Sequence, residues 1–229
     1  MRKKSRLNII YLIIISVIES CGLYSYISLN PPISFESKGS SLLELHHDLN
    51  NNDGSEKEFL GYEIFYRAYD IYEIADGDKV LLIDAVDKYE KSPDGFITYA
   101  KSLGFQRLQK YTDSNPDISP LISISDSSPS LYYLELVPED FWIISPDTSI
   151  TLDDTKITRN IIANYATRYS FNKKANYQEG DIDYEGKSSP TTVYFVFFAT
   201  AFGTDTASFS NIYSEAKVIG TTLQYNPSN

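Results

Sequence analysis

Phe59-Leu-Gly-Tyr-Glu-Ile-Phe-Tyr-Arg-Ala-Tyr69 is the stretch on which the fold turns. In an extended chain, alternate side chains point to opposite faces. Tyr62, Ile64 and Tyr66 then share one face, and Glu63, Phe65, Arg67 and Tyr69 share the other. Both faces carry aromatics, so the expectation is a central strand covered on both sides. A second stretch suits the same role. Thr191 to Phe202 (TTVYFVFFATAF) is almost continuously apolar and rich in β-favouring residues, and reads as a buried central strand.

Shorter strand candidates lie around these two. Ile33–Phe35 and Ser41–His47 precede the first; Phe105–Tyr111, Leu121–Ser125, Leu131–Val137 and Phe141–Ser145 lie between them. Ser214–Tyr225 reads as a last strand, preceded by a turn region over Gly203–Ser210 in which Gly203 is a turn residue. Two segments have helical spacing. Leu82, Ala85, Val86 and Tyr89 predict one helix, with Asp78 as its N-cap. Phe96, Tyr99, Ala100 and Leu103 predict another, with Ser92 as N-cap, Pro93 in the first turn and Gly104 as the stop. Their short linker implies a hairpin. If that hairpin covers the sheet it serves packing; if it projects, it serves recognition. Thr155–Tyr169 fits helix or strand, and Asn172–Pro190 is polar and loop-rich.

Composition narrows the function classes. The chain has 229 residues, 42% hydrophobic and 22% charged, so it is a folding and not a disordered composition. Its 14% aromatic content, with 19 Tyr and 12 Phe, moves the expectation towards β structure. Without residues 1–20 the rest carries 16 basic residues against 30 acidic, a net of −14. Such a surface repels phosphate backbones, so nucleic acid is not an expected partner. The single cysteine, Cys21, excludes an internal disulfide and a cysteine zinc cluster.

Met1-Arg-Lys-Lys-Ser-Arg6 is basic, Leu7–Ile18 is apolar apart from Asn8 and Ser16, and Ile18-Glu-Ser-Cys21 follows. An apolar run of about a dozen residues is short of the ~20 a spanning helix needs. Basic, apolar and cysteine segments in this order resemble a bacterial lipoprotein signal of the looser spirochaete type; Glu19 stands where that family usually has a small or apolar residue. The resemblance implies cleavage before Cys21 and lipid on that cysteine. It also implies export and attachment to the inner or outer membrane, facing the periplasm or the cell surface. Residues 1–20 are then a signal peptide, 21–30 a tether ending at Asn30-Pro-Pro32, and 31–229 the folded domain.

Two stretches are similar to the fibronectin type III sandwich, an immunoglobulin-like fold. Gly61-Tyr-Glu-Ile64-Phe-Tyr66-Arg67 looks like its third strand. Pro190-Thr-Thr192-Val-Tyr194, with Ala199, Gly203 and Ser214-Glu-Ala-Lys-Val218, resembles its last two strands. The resemblance implies a mainly β sandwich with halves at 31–70 and 187–225. A large α+β insertion at 71–186 would carry the helical hairpin. The only tryptophan is Trp142, whereas the family carries one in its second strand.

Candidate chemistry is sparse. His46 and His47 are adjacent, so on a strand they face opposite ways, one inward and one outward, and do not share a metal. Asp48-Leu-Asn-Asn-Asn-Asp53-Gly54 has the composition of a calcium loop, but an EF-hand starting at Asp48 would put Asp53 at its glycine and Phe59 at its last acid. It reads as a solvated turn, with irregular calcium binding through Glu56 or Glu58 as the alternative. Asp181, Asp183 and Glu185 would share one face of a strand, which requires solvent, a cation or a basic partner. The expectation is an exposed acidic edge, as for Asp153-Asp154. Aromatics read as packing or as a glycan- or peptide-binding face, for which Tyr24, Tyr26, Tyr132, Tyr133 and Trp142 are candidates. No catalytic, cofactor-binding or metal residue is assigned, and no cofactor is expected. The function expected is a non-enzymatic binding or structural envelope lipoprotein, held to the membrane and meeting a protein or glycan ligand. The alternatives are an exported hydrolase using carboxylates of the insertion, or a calcium-dependent adhesive domain.

Overall fold

The computed structural model describes residues 28–39, 42–52, 57–112, 115–116, 119–124, 130–136, 142–145, 157–159 and 171–228. Its centre is a single antiparallel pair, β3 (Lys57–Tyr69) against β12 (Val193–Asp205). Their register runs from Tyr194 opposite Tyr69 to Asp205 opposite Lys57. Thirteen residues a strand, β-branched and aromatic, give this pair its length.

The register shifts once. Phe202 lies opposite Gly61 and Gly203 opposite Phe59, so Leu60 is the extra residue of a bulge. Both glycines are required there. A Cβ on Gly203 would lie 2.3 Å from the Glu58 carbonyl oxygen. One on Gly61, at φ +143°, would lie 1.9 Å from that of Ile122. Gly203 is therefore a strand residue and not a turn residue, and within the expected turn region the turn itself is Thr206–Ser208.

Shorter strands complete this sheet. On the β3 side are β4 (Gln106–Arg107), β7 (Ile122–Ser123) and a parallel strand, β11 (Tyr184–Glu185). On the β12 side are β13 (Asn211–Tyr213), β14 (Lys217–Val218) and β15 (Leu223–Tyr225). The last strand expected over Ser214–Tyr225 is thus broken, and β14 and β15 pair separate parts of β12. A second, four-stranded antiparallel sheet has the order β1 (Ser34–Ser37), β2 (Leu42–His46), β8 (Leu131–Leu136), β9 (Trp142–Ser145). Part of the stretch expected as an insertion therefore pairs with β2. A small third sheet joins β10 (Ile157–Thr158), β5 (Gln109–Thr112) and β6 (Asn115–Pro116). The protein is mainly β.

Two helices cover the far face of the large sheet, giving three layers. α1 spans Tyr72–Lys88 and α2 spans Pro93–Ser102. α1 begins six residues before Asp78, the expected N-cap, and Ile71 holds that position with no side-chain cap. Asp78 sits mid-helix because it is drawn to Arg67. α2 starts and stops as expected, although the Ser92 side chain makes no cap bond.

The two faces of β3 sort as the alternation predicts. Tyr62, Ile64, Tyr66 and Ala68 join Phe195, Phe197, Leu43, Leu45 and Leu134 in the core between the sheets. Phe65 and Tyr69 join Val196, Phe198, Leu82, Phe96 and Ala100 in the core beneath the helices. Phe198 is its hub, stacked on Phe65 at 4.7 Å and edge-on to Phe96 at 5.1 Å. Burying a phenylalanine in such a core stabilises by about 1.5–3 kcal/mol, so the aromatic content is spent on packing here.

Candidate functional site

The acidic alternation Asp181-Ile-Asp183-Tyr-Glu185 marks the most charged site, but not as an exposed edge. Asp183 is fully buried, Asp181 is half-buried and Glu185 is exposed. The basic partner is Arg159, whose side chain is also fully buried. Arg159 Nε donates to Asp183 Oδ2 at 2.9 Å, and Nη2 donates to Asp183 Oδ1 at 2.6 Å and to Asp181 Oδ2 at 3.0 Å. Nη1 donates to the Asn176 carbonyl, and the Tyr66 hydroxyl donates to Asp183. The guanidinium lies 4.0 Å from the centre of the Tyr177 ring. Burial alone would lower its proton affinity, but Asp183 more than reverses this and Arg159 stays charged. Burial pushes the Tyr177 and Tyr184 hydroxyls well above the usual tyrosine range.

Backbone bonds hold this loop in place. Ala68 N–H donates to the Asp183 carbonyl at 2.8 Å, and Lys187 N–H to Asp70 Oδ2 at 2.9 Å. A second arginine, Arg67, reaches Glu185 at 2.5 Å and Asp78 at 2.7 Å, while the Tyr69 hydroxyl donates to Asp78 at 2.8 Å. One arginine thus ties β3 to α1 and to the 181–187 loop. An open cleft of about 470 Å³ adjoins, lined by Arg67, Ile71, Ile74, Glu179, Tyr184 and Lys187 among others.

A third charged group, Glu63, is 2% exposed on the helical face. Arg107 Nε lies 3.1 Å from its carboxylate. Burial raises its pKa above the usual carboxyl range, with Arg107 and Lys101 pulling the other way. Arg159, Arg67 and Glu63 were not singled out by sequence reasoning. The one available signal was the alternation itself, which demanded a counter-charge without naming it.

The remaining candidates separate. His47 is fully buried and His46 half-buried, as expected of neighbours on a strand. His47 Nδ1 lies 2.8 Å from the Tyr62 hydroxyl, and its ring stacks on Phe59. Burial pushes the Tyr62 pKa up to about 12. Asp48 accepts the Asn50 N–H at 2.9 Å and caps a short 3-10 turn at Leu49–Asn52. Asn51 is 2% exposed and clamps the backbone of Asn30. Its Oδ1 accepts the Asn30 N–H at 2.7 Å, and its Nδ2 donates to the Asn30 carbonyl at 2.8 Å. Leu29 is buried beside it, so packing among the described residues includes positions before the expected boundary at 31. Tyr132 is 3% exposed and belongs to the core, so it is not part of a binding face, and Tyr133 is half-buried. Glu58 is exposed. Cys21, Tyr24, Tyr26, Asp53, Gly54, Glu56, Asp153, Asp154 and the Trp142 side chain lie outside the described residues. Among the described residues no group of three or more His, Cys, Asp or Glu is placed to hold a metal, and no helix is long and apolar enough to cross a membrane. No protein-family model, curated protein or solved structure matches the chain.

Proposed function

We propose that the chain is an exported lipoprotein, anchored through lipid on Cys21 to a bacterial inner or outer membrane. Its domain works there as a non-enzymatic binding or structural module of the envelope. The observation that carries the non-catalytic part is the fate of the acidic alternation. These carboxylates are the hydrolase reading's best candidates, and Asp181, Asp183 and Glu185 are each held by an arginine. Asp183, locked by a bidentate guanidinium, is neither a ready proton donor nor a nucleophile, and Asp181 and Glu185 each meet one guanidinium nitrogen. The lipid-anchor part is supported by the order of basic, apolar and cysteine segments.

An immunoglobulin-like architecture belongs to the same proposal. In that fold the first two strands share a sheet with the fourth and fifth, and the third pairs with the sixth and seventh. The sheets β1-β2-β8-β9 and β3-β12, with β14 and β15, follow this allotment. The departure is in the later hairpin: β8, beside β2, precedes the outer strand β9, the reverse of the family's order.

Two experiments test the reading. Growth with a labelled fatty acid should label the wild type and not Cys21→Ser; an unlabelled wild type refutes the anchor. A screen of glycan and peptide substrates should give no turnover. Reproducible hydrolysis, lost in Asp181→Asn or Glu63→Gln without loss of folding, would replace the binding module by an enzyme.

A further inference from the structure

We propose that the free edge of β13, with Phe209 beside it, is a docking strip for an extended, basic-flanked segment of another polypeptide, which adds to the large sheet as a further strand. The proposal rests on the binding-module part of the reading above, names its ligand class, and does not depend on the anchor.

The hydrogen bonds fix which groups are free. Asp205 N–H donates to the Ser210 carbonyl at 2.9 Å, and Ser214 N–H to the Ala201 carbonyl at 3.0 Å. Between them the register sets Thr204 opposite Asn211, Gly203 opposite Ile212 and Phe202 opposite Tyr213. Bonded positions alternate along an antiparallel ladder, so Ser210, Ile212 and Ser214 turn their backbone groups to β12. Asn211 and Tyr213 turn theirs outward. β13 ends its sheet, and among the described residues no strand pairs with that edge. An open cleft of about 310 Å³ lies against Tyr213, Ser214 and Glu215. Outward N–H and carbonyl groups along an extended edge are complemented in register by another extended chain.

Proteins usually guard such an edge with charge. β1, at the edge of the other sheet, is followed by Lys38, which pairs with Glu36 and Glu44. Thr206 to Ser214 (TASFSNIYS) has no charged residue and no proline. Phe209 adds an apolar anchor. It is 83% exposed, and its φ of +56° is a conformation that glycine or asparagine takes with less strain. Neither burial nor backbone preference accounts for a phenylalanine there, and strain held at an exposed aromatic points to recognition. The tip is also pre-organised. Asp205 accepts the Ala207 N–H at 2.8 Å and the Ser208 hydroxyl at 2.6 Å, and Phe209 N–H donates to the Asp205 carbonyl at 2.8 Å.

Charge selects the partner. At a net −11, two copies of the chain repel one another, whereas a cationic segment is drawn in. Asp205 and Glu215 bracket the uncharged strip. A segment with a neutral strand core and basic ends matches that order.

The probe is the peptide amide KKTVTVTKK, which has an alternating core and basic ends. Amide hydrogen exchange of the full chain, followed by NMR, should slow about tenfold at Asn211 and Tyr213 when the peptide is added, and less at high salt. Asn211→Pro removes an outward donor and no bond to β12, so it should weaken binding about fivefold or more, while Asn211→Ala stays within about twofold. Phe209→Asn should also bind about fivefold or more weakly yet melt no lower than the wild type, since asparagine tolerates this φ. Unslowed exchange at both amides with peptide in the millimolar range overturns the proposal, and so does undiminished binding by a folded Asn211→Pro or by Phe209→Asn. Protection that grows with protein concentration in the absence of peptide overturns it in favour of self-association. Cleavage of the peptide, read by mass spectrometry, overturns it together with the binding-module reading, whereas intact and unbound peptide removes this edge alone.

Discussion

Arg159→Met is the sharpest test of the buried ion-pair cluster. The substitution keeps an unbranched side chain of similar length and removes the guanidinium. Asp183, fully buried, loses two charge-assisted hydrogen bonds, and Asp181 loses one. Among the described residues, the Tyr66 hydroxyl is the one donor left to the Asp183 side chain. Leaving a buried charge without its partner costs about 3–5 kcal/mol. In a domain of this size each kcal/mol moves Tm by about 2–4 °C, so the expected drop is roughly 6–20 °C. Removing both charges behaves differently. Arg159→Met with Asp183→Leu has no orphaned buried charge, and such replacements are commonly near neutral. Tyr66 then loses an acceptor, which costs about 1–3 kcal/mol, so recovery is large but incomplete. Urea unfolding followed by circular dichroism gives the three stabilities, and hydrogen exchange over 171–190 reports whether the loop loosens first. A single-variant loss under about 1 kcal/mol, or a double variant no better than Arg159→Met, would refute the account of the cluster.

The glycines make opposite predictions. Gly61→Ala should destabilise by about 2 kcal/mol or more, because its Cβ meets the Ile122 carbonyl in a backbone conformation that L residues avoid; Gly77→Ala, in open space mid-helix, should stabilise by about 0.5–1 kcal/mol. Asn51→Ala removes both bonds to the Asn30 backbone and should lose about 1–2 kcal/mol, with faster chymotryptic cleavage at Leu29. Tyr62 gives the pH dependence. The native chain keeps its proton up to about pH 12 whereas the unfolded chain releases it near 10, so this stability is complete below 10 and is lost as pH rises to 12. Denaturant melts across that window should fall less steeply for Tyr62→Phe, and an equal slope would contradict the burial of this hydroxyl.

Much of the fold was legible because its central strands are long and their patterns strong. The alternation of Tyr62 to Tyr69 separated the two cores residue by residue, and the apolar run around Phe198 announced a strand covered on both faces. The start of α1 was missed for an electrostatic reason. Asp78 looked like a cap by residue type, but Arg67 and Tyr69 hold its carboxylate from the sheet, so the helix runs through it. The break after Val218 was missed because pairing to β12 stops and resumes with no proline to mark it. At the candidate site the acidic alternation was visible, but its partner was not. Arg159 lies 22 residues or more away, in a segment whose periodicity fits either element, and charge pairing through space leaves no spacing signal. His46 and His47 were legible because strand geometry alone decides which way neighbours point.

The β3–β12 pair also sets the order in which folding can happen. It joins Lys57–Tyr69 to Val193–Asp205, so the longest ladder among the described residues closes a loop of well over a hundred residues. Contacts of such sequence separation must meet a large loop-closure entropy before they are rewarded, which makes folding slow. Neither core can form around β3 until the last quarter of the chain has arrived. On the proposed reading, in which the chain is exported unfolded before lipid is added at Cys21, this delay is useful: the chain emerging from synthesis lacks its central partner strand and stays threadable until nearly all of it has been made.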